Sequence, residues 1–450
     1  MAASAAAGAT SFSRARLQGL SVFGLRIAGA GLALAAQVFA SRLLGPEEFG
    51  RYSLLLVWVL VFGYAAMAGS GQIVCRYLAQ YVKAGDSALA AGLLRTILGV
   101  VLGIAALLAL FAIAVIGLGF TDLETRHVLL AVIAFACIPL IAAQDYLESI
   151  ARGLDKPTLG IGPSFILRHL AIIAGLLTLM AMGANADALT VMIFTAAGLV
   201  ISICVQYVLL ASHLRATLDG AVPRYDVRQW FTAGLPMAAS DTVEILLLNA
   251  DILILGLLMS PEYVALYFAA TRVAQILFYV PYAATAATAQ KYAALTAASE
   301  RAELQTLIGK TATVSVGLTI AGAAVLSLLA PYLLNLFGAE YVEAAPLVAL
   351  LALGIVLAGL FGPGEDVLNM LGQERLCSLG FVLALVVNVA LNFTLIPLMG
   401  LTGAAVATMT AMAVRGALLS YFAWRRLGLV VPAGLALIVN SSPRDFAHEA

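Results

Sequence analysis

The residues of this sequence that could carry chemistry are charged side chains inside long apolar runs. Asp241, Glu244 and Asp251 fall within about an 80° sector of one predicted helix, because each residue turns a helix by about 100°. A charge at the centre of a membrane helix costs roughly 2.5–3.5 kcal/mol, so it persists mainly where it faces protein or water. The stripe predicts a cation or proton site, or a gate, beside a cavity. Buried ion pairs, or an acidic face at the membrane interface, would explain the same pattern.

Arginines inside other apolar runs form a second group. Arg26 and Arg272 would suit a diphosphate in a lipid-shielded cavity, because a guanidinium group donates paired hydrogen bonds to phosphate oxygens. Pairing with the acidic stripe is the alternative for both. Arg415 stands near the end of the last run, and we expect it to extend toward the interface. Asp145 and Glu148 end their run, so we expect solvation at the cytoplasmic interface.

The sequence contains none of the motifs that common classes of enzyme require. The four histidines are scattered, and no Walker lysine in a glycine loop, GxSxG or HExxH occurs. The four cysteines stand singly with no CxxC, so we predict neither a metal site nor a disulfide bond. We therefore expect no enzymatic activity, no catalytic residues and no cofactor.

The composition is that of a membrane protein. Hydrophobic residues make up 63% and charged residues 11% of the 450 residues, against about 45–50% apolar residues in soluble domains. The formal net charge of zero gives no indication of nucleic-acid binding. The bilayer is therefore the predicted surrounding, and the positions of Lys and Arg matter more than their sum.

The apolar runs predict an all-α polytopic fold with about 12 transmembrane helices, since each crossing needs about 20 residues. The approximate runs are 18–43, 52–75, 91–119, 128–149, 164–183, 188–212, 231–259, 265–290, 307–333, 345–364, 377–398 and 401–424. Residues 1–212 are predicted to form the first six-helix lobe, 213–230 a cytoplasmic linker and 231–426 the second six-helix lobe. Residues 427–450 are predicted to comprise a short apolar segment, which lies at the interface or packs on a lobe, and a polar cytoplasmic tail.

An internal repeat supports the division into two lobes. Leu43, Pro46, Glu47 and Tyr52 recur 215 positions later as leucine, proline, glutamate and tyrosine, again between two apolar runs. A looser similarity relates residues 151–156 to 370–375. A repeat of about half the chain, with an even number of crossings in each half, predicts two related lobes of the same orientation.

The distribution of positive charge predicts the orientation. Only Arg42, Arg51 and Arg126 fall on one side of the predicted helices, and the other Lys and Arg residues outside the membrane lie on the opposite side. Because Lys and Arg are enriched in cytoplasmic loops, both termini are predicted to be cytoplasmic.

Four segments resemble a known family. They are RLLGPEEFGRYSLL at 42–55, RQWFTAGLPMAASDTVEILLLNADILILGLLMSPEYVALYFAATR at 228–272, FGAEY at 337–341 and LVVNVALNFTLIPLMGLTGAAVATM at 385–409. In order and spacing they resemble the polysaccharide-transport branch of the MOP exporter superfamily, the Wzx-type flippases of lipid-linked oligosaccharides.

The resemblance implies a function for the buried arginines. It implies two six-helix lobes around a central cleft and movement of an undecaprenyl-diphosphate-linked oligosaccharide to the outer leaflet by alternating access. Arg26 and Arg272 match, helix by helix, the cationic cavity of lipid II flippases. The two extra C-terminal helices of those flippases are absent here, which argues against that narrower group. A bacterial inner-membrane location, a role in O-antigen or exopolysaccharide synthesis and a polysaccharide polymerase complex as partner also follow from the resemblance.

Two other classes remain open. A MATE-like antiporter of small cations, coupled to H+ or Na+, would use the acidic stripe of Asp241, Glu244 and Asp251. A membrane scaffold would not need intramembrane charges. The sequence does not identify the sugar, the coupling ion, the pathway or the oligomeric state.

One pairing can be predicted from the spacing of the charges. Asp251 and Arg272 lie at nearly equal sequence distance on either side of the turn at Ser260-Pro261-Glu262, so a rise of 1.5 Å per residue places both about 10–12 Å below the outer end of this helical hairpin. We hypothesise an ion pair that holds Arg272 and releases it to the diphosphate of the substrate.

Overall fold

The structure is a computed structural model that describes residues 2–67, 69–118, 125–218, 220–297 and 300–436. For residues 2–18, 20, 233–240, 285–287, 289–290, 293–294 and 296–297 it describes the backbone alone. The polar C-terminal tail that the sequence predicts lies outside the described residues.

The regular secondary structure of the described residues is entirely helical, which confirms the all-α fold class. The α-helices are α1 (Ala2–Met67), α2 (Ser70–Ala84), α3 (Ser87–Gly117), α4 (Thr125–Ala136), α5 (Ile138–Gly153), α6 (Pro157–Gly162), α7 (Arg168–Met182), α8 (Ala188–Leu218), α9 (Val227–Leu258), α10 (Pro261–Ala274), α11 (Tyr279–Ala297), α12 (Arg301–Asn335), α13 (Ala345–Leu360), α14 (Gly364–Met370), α15 (Glu374–Met399) and α16 (Leu401–Leu427). A π-helical turn (Pro163–Leu167) and two 3-10 turns (Gln275–Phe278 and Ala339–Ala344) connect some of them.

Ten helical segments among the described residues are long and apolar enough to cross a membrane. The protein is therefore a multi-pass membrane protein, and the count of twelve stays a prediction. One of the ten, Ser21–Met67, covers the first predicted run and most of the second. Gly45 separates the two halves of this segment with a non-helical backbone at φ 71° and ψ 172°, and Pro46 follows it.

The predicted end of the second run, 52–75, was wrong. Helix α1 ends at Met67 and α2 begins at Ser70. Gly69 between them has a left-handed backbone with φ 69°, a conformation that glycine adopts without steric cost. Hydropathy cannot reveal such a break, because the small residues around it are compatible with an apolar run.

The described chain divides into two compact units, Met1–Ile245 and Leu246–Ala450. In the first unit, side chains just after the Gly45 break in α1 contact the first two turns of α8. The Tyr52 hydroxyl lies 3.0 Å from the Thr195 hydroxyl, and Glu48 accepts a hydrogen bond from the backbone N–H of Ala188 at 2.9 Å. Tyr52 belongs to the repeat in the sequence, and Glu48 lies next to the repeated Glu47.

The segment before α9 is docked on the first unit. The backbone N–H of Arg224 donates to the carbonyl oxygen of Ala88 at 2.9 Å, and Trp230, which is fully buried, donates to the Tyr81 hydroxyl. A Cβ atom on Gly92 would lie 1.8 Å from the carbonyl oxygen of Arg224, so this approach requires glycine. The predicted linker 213–230 contains the end of α8 and the start of α9, and the predicted lobe boundaries stay a prediction.

In the second unit, α16 packs against α13 and α15. The segment 428–436 then folds back along α12. The side-chain amide of Gln305 donates to the carbonyl of Val430 at 2.6 Å and accepts from its N–H at 3.0 Å. Leu429 and Val431 are buried. Of the two placements predicted for this segment, the structure shows packing on the unit.

Candidate functional site

Asp251 lies at a junction of three helices in the second unit. Its side chain is buried, and its Oδ2 atom accepts hydrogen bonds from the Tyr267 hydroxyl at 2.7 Å and the Thr408 hydroxyl at 2.9 Å. Its Oδ1 atom accepts from the backbone N–H of Ile252 at 2.8 Å. Helices α9, α10 and α16 therefore supply a carboxylate with three donors inside an apolar bundle.

Two asparagines extend this network into α15. Asn392 donates to both the carbonyl and the side-chain oxygen of Asn388, at 2.9 and 3.0 Å. The Asn388 side-chain amide lies 3.5 Å from the Thr408 hydroxyl, and both asparagines are fully buried. Asn388 therefore links α15 to α16 beside Asp251.

The hypothesis of an ion pair between Asp251 and Arg272 is wrong for this structure. No ion pair joins these two residues, both of which are described in full. Tyr267 faces Asp251, and Arg272 lies five positions later, which turns it by about 140° around α10. An ion pair requires equal depth in the membrane and side chains that face each other. The rotation of α10 turns Arg272 away from Asp251, so the second condition is not met.

Arg272 makes other contacts. Its Nη1 atom donates to the Oε1 atom of Gln275 at 2.9 Å, and its guanidinium carbon lies 4.3 Å from the centre of the Phe268 ring. A guanidinium group stacked on an aromatic face keeps part of its donor edge available for an anion.

The second unit contains an open cavity next to this network, with a volume of about 40 Å³. Most of its wall is apolar. Its polar and charged lining residues are Asp251, Thr271, Gln275, Asn388, Thr408 and Arg415.

In the first unit, Arg26 faces Glu148. Its Nη2 atom lies 3.9 Å from the Oε1 atom of Glu148, and its guanidinium carbon lies 5.7 Å from the centre of the Phe165 ring. Ser164, in the π-helical turn, donates to the other oxygen of Glu148 at 3.5 Å. The Glu148 side chain is 13% exposed. The structure thus places Glu148 inside the unit, which corrects the predicted interfacial solvation.

A series of hydrogen-bonded polar side chains lies next to Glu148 of α5. Arg168 donates to the side-chain oxygen of Gln144 at 3.3 Å, and the amide of Gln144 donates to the Ser202 hydroxyl at 2.9 Å. Asp145 stands next to Gln144, and its Oδ2 atom is buried. Helices α5, α7 and α8 are therefore held together by polar side chains within the apolar bundle.

The acidic stripe is divided between the two units. Asp241 and Glu244 are half-buried residues of α9 in the first unit, and Asp251 belongs to the second. The side chains of 233–240, just before Asp241, lie outside the described residues. No group of three or more His, Cys, Asp or Glu residues that could hold a metal ion occurs among the described residues.

Sequence reasoning missed the hydroxyl groups that contact Asp251. Tyr267 and Thr408 are common types of residue in membrane helices, and their spacing gives no signal of a shared carboxylate. The repeat offered one indication, because Tyr267 is the counterpart of Tyr52, and both hydroxyls contact a threonine on another helix. Arg415 was assigned to a helix end, because the runs had been drawn by hydropathy alone.

The comparisons with known proteins agree with this fold. A comparison with curated proteins gives no match. The chain is 18% identical to an inward-facing multidrug resistance MATE family transporter of the MOP superfamily, covering 94% of this chain and 100% of that one, with a TM-score of 0.73. It is 15% identical to the lipid II flippase MurJ in an inward closed conformation, covering 90% and 87%, with a TM-score of 0.67.

A third solved structure is a MOP superfamily transporter from Pyrococcus furiosus, for which a binding pocket of reverse polarity suggests a different function. The identity is 17%, the coverage is 91% of this chain and 95% of that one, and the TM-score is 0.62. At these identities the similarities establish the fold.

Family models identify the chain itself. The MatE model matches residues 236–394. The model described as polysaccharide biosynthesis protein matches residues 18–289, which is more than half of the 450 residues. This chain therefore belongs to the polysaccharide biosynthesis protein family, in the polysaccharide branch of the MOP exporter superfamily.

Proposed function

We propose that the protein is a flippase that moves an undecaprenyl-diphosphate-linked oligosaccharide from the cytoplasmic to the outer leaflet of a bacterial inner membrane. The observation that carries this proposal is Arg272, a guanidinium group with no carboxylate partner among the described residues, in a chain whose family match is polysaccharide biosynthesis. A lipid-linked diphosphate supplies the anion that such a group binds bidentately.

Arg26 is the second substrate-binding cation of this proposal. Its distance of 3.9 Å from Glu148 is at the limit for an ion pair, and its side chain is 32% exposed. A guanidinium group in such a partly exposed position can donate paired hydrogen bonds to a phosphate group. Twelve helices in two lobes, with both termini in the cytoplasm, would present Arg26 and Arg272 alternately to the two leaflets.

Asp251 is the proposed coupling residue, with H+ or Na+ as the coupling ion. Three oxygen-bearing side chains, Tyr267, Thr408 and Asn388, surround or adjoin its carboxylate. A buried carboxylate among neutral hydroxyl and amide groups changes its hydrogen bonding when it gains a proton or a cation. Asp241 and Glu244 are assigned a gating role on the same helix.

A genetic experiment tests the proposal. Deletion of the gene should stop delivery of one surface or exported polysaccharide, such as O-antigen or an exopolysaccharide, and leave its lipid-linked repeat in the cytoplasmic leaflet. Complementation with Arg272→Ala or Arg26→Ala should fail at full membrane expression, and Arg425→Ala, an exposed arginine of α16, is the matched control. Copurification of a polysaccharide polymerase would identify the proposed partner.

The second candidate is a MATE-like antiporter of small cations. The MatE match at residues 236–394 includes the whole acidic stripe, and this favours the antiporter. Normal glycan in the deletion strain, together with raised sensitivity to cationic dyes, would support the antiporter and contradict the flippase.

A further inference from the structure

Arg415 lies on the face of α16 that lines the cavity of the second unit. Thr408, Ala411, Met412 and Arg415 all border this cavity, and they are spaced at i, i+3, i+4 and i+7. That spacing defines one face of a helix. Arg415 therefore lies on the same face as Thr408, which donates a hydrogen bond to Asp251. Arg415 was predicted to extend toward the membrane interface, but in the structure it lies at the cavity wall.

The guanidinium group of Arg415 is not neutralised by the residues that the structure describes in full. Its carbon lies 5.0 Å from the centre of the Phe381 ring on α15, and no hydrogen bond or ion pair joins it to a described residue. Asp251 borders the same cavity, but its oxygens accept from Tyr267, Thr408 and the backbone N–H of Ile252. The cavity thus contains a cation without a bonded counter-charge.

Gln275 connects this cavity to Arg272. Its side chain lines the wall, and its Oε1 atom accepts from Arg272 at 2.9 Å. Two guanidinium groups, each stacked on a phenylalanine ring, are therefore associated with one cavity. An unpaired arginine within the membrane is costly, and this cost is reduced when an anion occupies the cavity.

We infer that Arg415 is a ligand for the anionic group that enters the cavity of the second unit. Together with Arg272 it would bind a diphosphate, and Phe381 and Phe268 would hold the two guanidinium planes. This inference rests on the proposed function for its lipid substrate. It adds a binding residue to the two arginines of that proposal, on a different helix.

The test measures binding to purified protein in lipid nanodiscs. Undecaprenyl diphosphate is titrated into wild type, Arg415→Gln, Arg415→Lys and the exposed control Arg425→Gln. Loss of one charge-assisted contact should weaken binding by about 10-fold or more in Arg415→Gln, because such bonds to charged groups are the stronger ones. Arg415→Lys should be intermediate, since lysine keeps the charge and loses the bidentate geometry. Arg425→Gln should bind as wild type does.

A second probe separates this inference from the proposed function. Inorganic pyrophosphate should raise the unfolding temperature of wild type more than sulfate does at equal ionic strength, and Arg415→Gln should lose the difference. If the lipid binds equally to wild type and Arg415→Gln, the inference is overturned and the flippase proposal stands. If the lipid does not bind and pyrophosphate still acts through Arg415, the anion site stands and the lipid substrate is wrong. Absence of both effects overturns the inference.

Discussion

At the scale of single residues, the molecule separates its buried carboxylate from its buried guanidinium groups in the second unit. Asp251 is held by hydroxyl groups, and Arg272 and Arg415 are stacked on aromatic rings. Opposite charges in direct contact would neutralise each other, whereas this arrangement keeps the carboxylate and the two guanidinium cations out of direct contact. Under the proposed function, the two kinds of charge act on two different ligands.

The separation of Asp251 from Arg272 can be tested by exchanging the charges. The double variant Asp251→Arg with Arg272→Asp should fail to restore glycan export, because the two side chains do not contact each other. Each single change should already reduce export, and protein levels in the membrane must match. Recovery by the double variant would show a direct pair and contradict the site described above.

Thr408 should contribute to stability through its hydroxyl group. Thr408→Val removes a donor to the buried Asp251, so the free energy of unfolding should fall by roughly 1–3 kcal/mol. Thr408→Ser keeps the hydroxyl and should lose less. Thermal unfolding in detergent measures both, with Thr410→Val as a control whose hydroxyl bonds only to its own helix at Val406. Equal losses in the valine and serine variants would contradict the role of the hydroxyl.

Residue types could be predicted here, but residue contacts could not. The cost of intramembrane charge identified Asp251, Arg26 and Arg272 from the sequence. Their partners depend on helix rotation, which the sequence pattern does not define for helices that are apolar on most sides. Glu148 illustrates this, since its position at the end of an apolar run suggested solvation and its contacts with Arg26 and Ser164 are inside the unit.

At the scale of elements, the breaks between helices show both the internal repeat and the true ends of the helices. Gly45 with Pro46 interrupts α1, and Pro261 begins α10 after the end of α9. These two sites are the repeat that the sequence revealed. Hydropathy predicted the apolar runs on either side, and left-handed glycines such as Gly69 determine where the helices actually end.

The hydrogen bonds of Gln305 should hold the segment 428–436 against α12. Gln305→Ala removes both side-chain hydrogen bonds to Val430, so residues 428–436 should become more accessible to protease, and the unfolding temperature should fall. Ser327→Ala is the matched control on the same helix, where the hydroxyl donates to the carbonyl oxygen of Ala323. Unchanged proteolysis in Gln305→Ala would show that apolar burial alone holds the segment.

At the scale of the whole molecule, the distribution of positive charge predicts one orientation. In a cysteine-free background, single cysteines at Glu48, Asn185, Glu262 and Glu340 should react with an impermeant maleimide added outside the cell, and those at Lys83 and Glu374 should not. The four outer positions come from both halves of the chain, so the test also examines whether the halves share one topology. The opposite labelling pattern would overturn the orientation.

The central claim is that this protein transfers a lipid-linked glycan between leaflets. The most direct measurement is labelling of that glycan by a membrane-impermeant sugar-oxidising reagent in right-side-out membrane vesicles. Vesicles with the wild-type protein should expose the labelled glycan, and vesicles with Arg272→Ala at equal expression should retain it inside, with Arg425→Ala behaving as wild type. Equal exposure of the glycan with and without the protein would contradict the account.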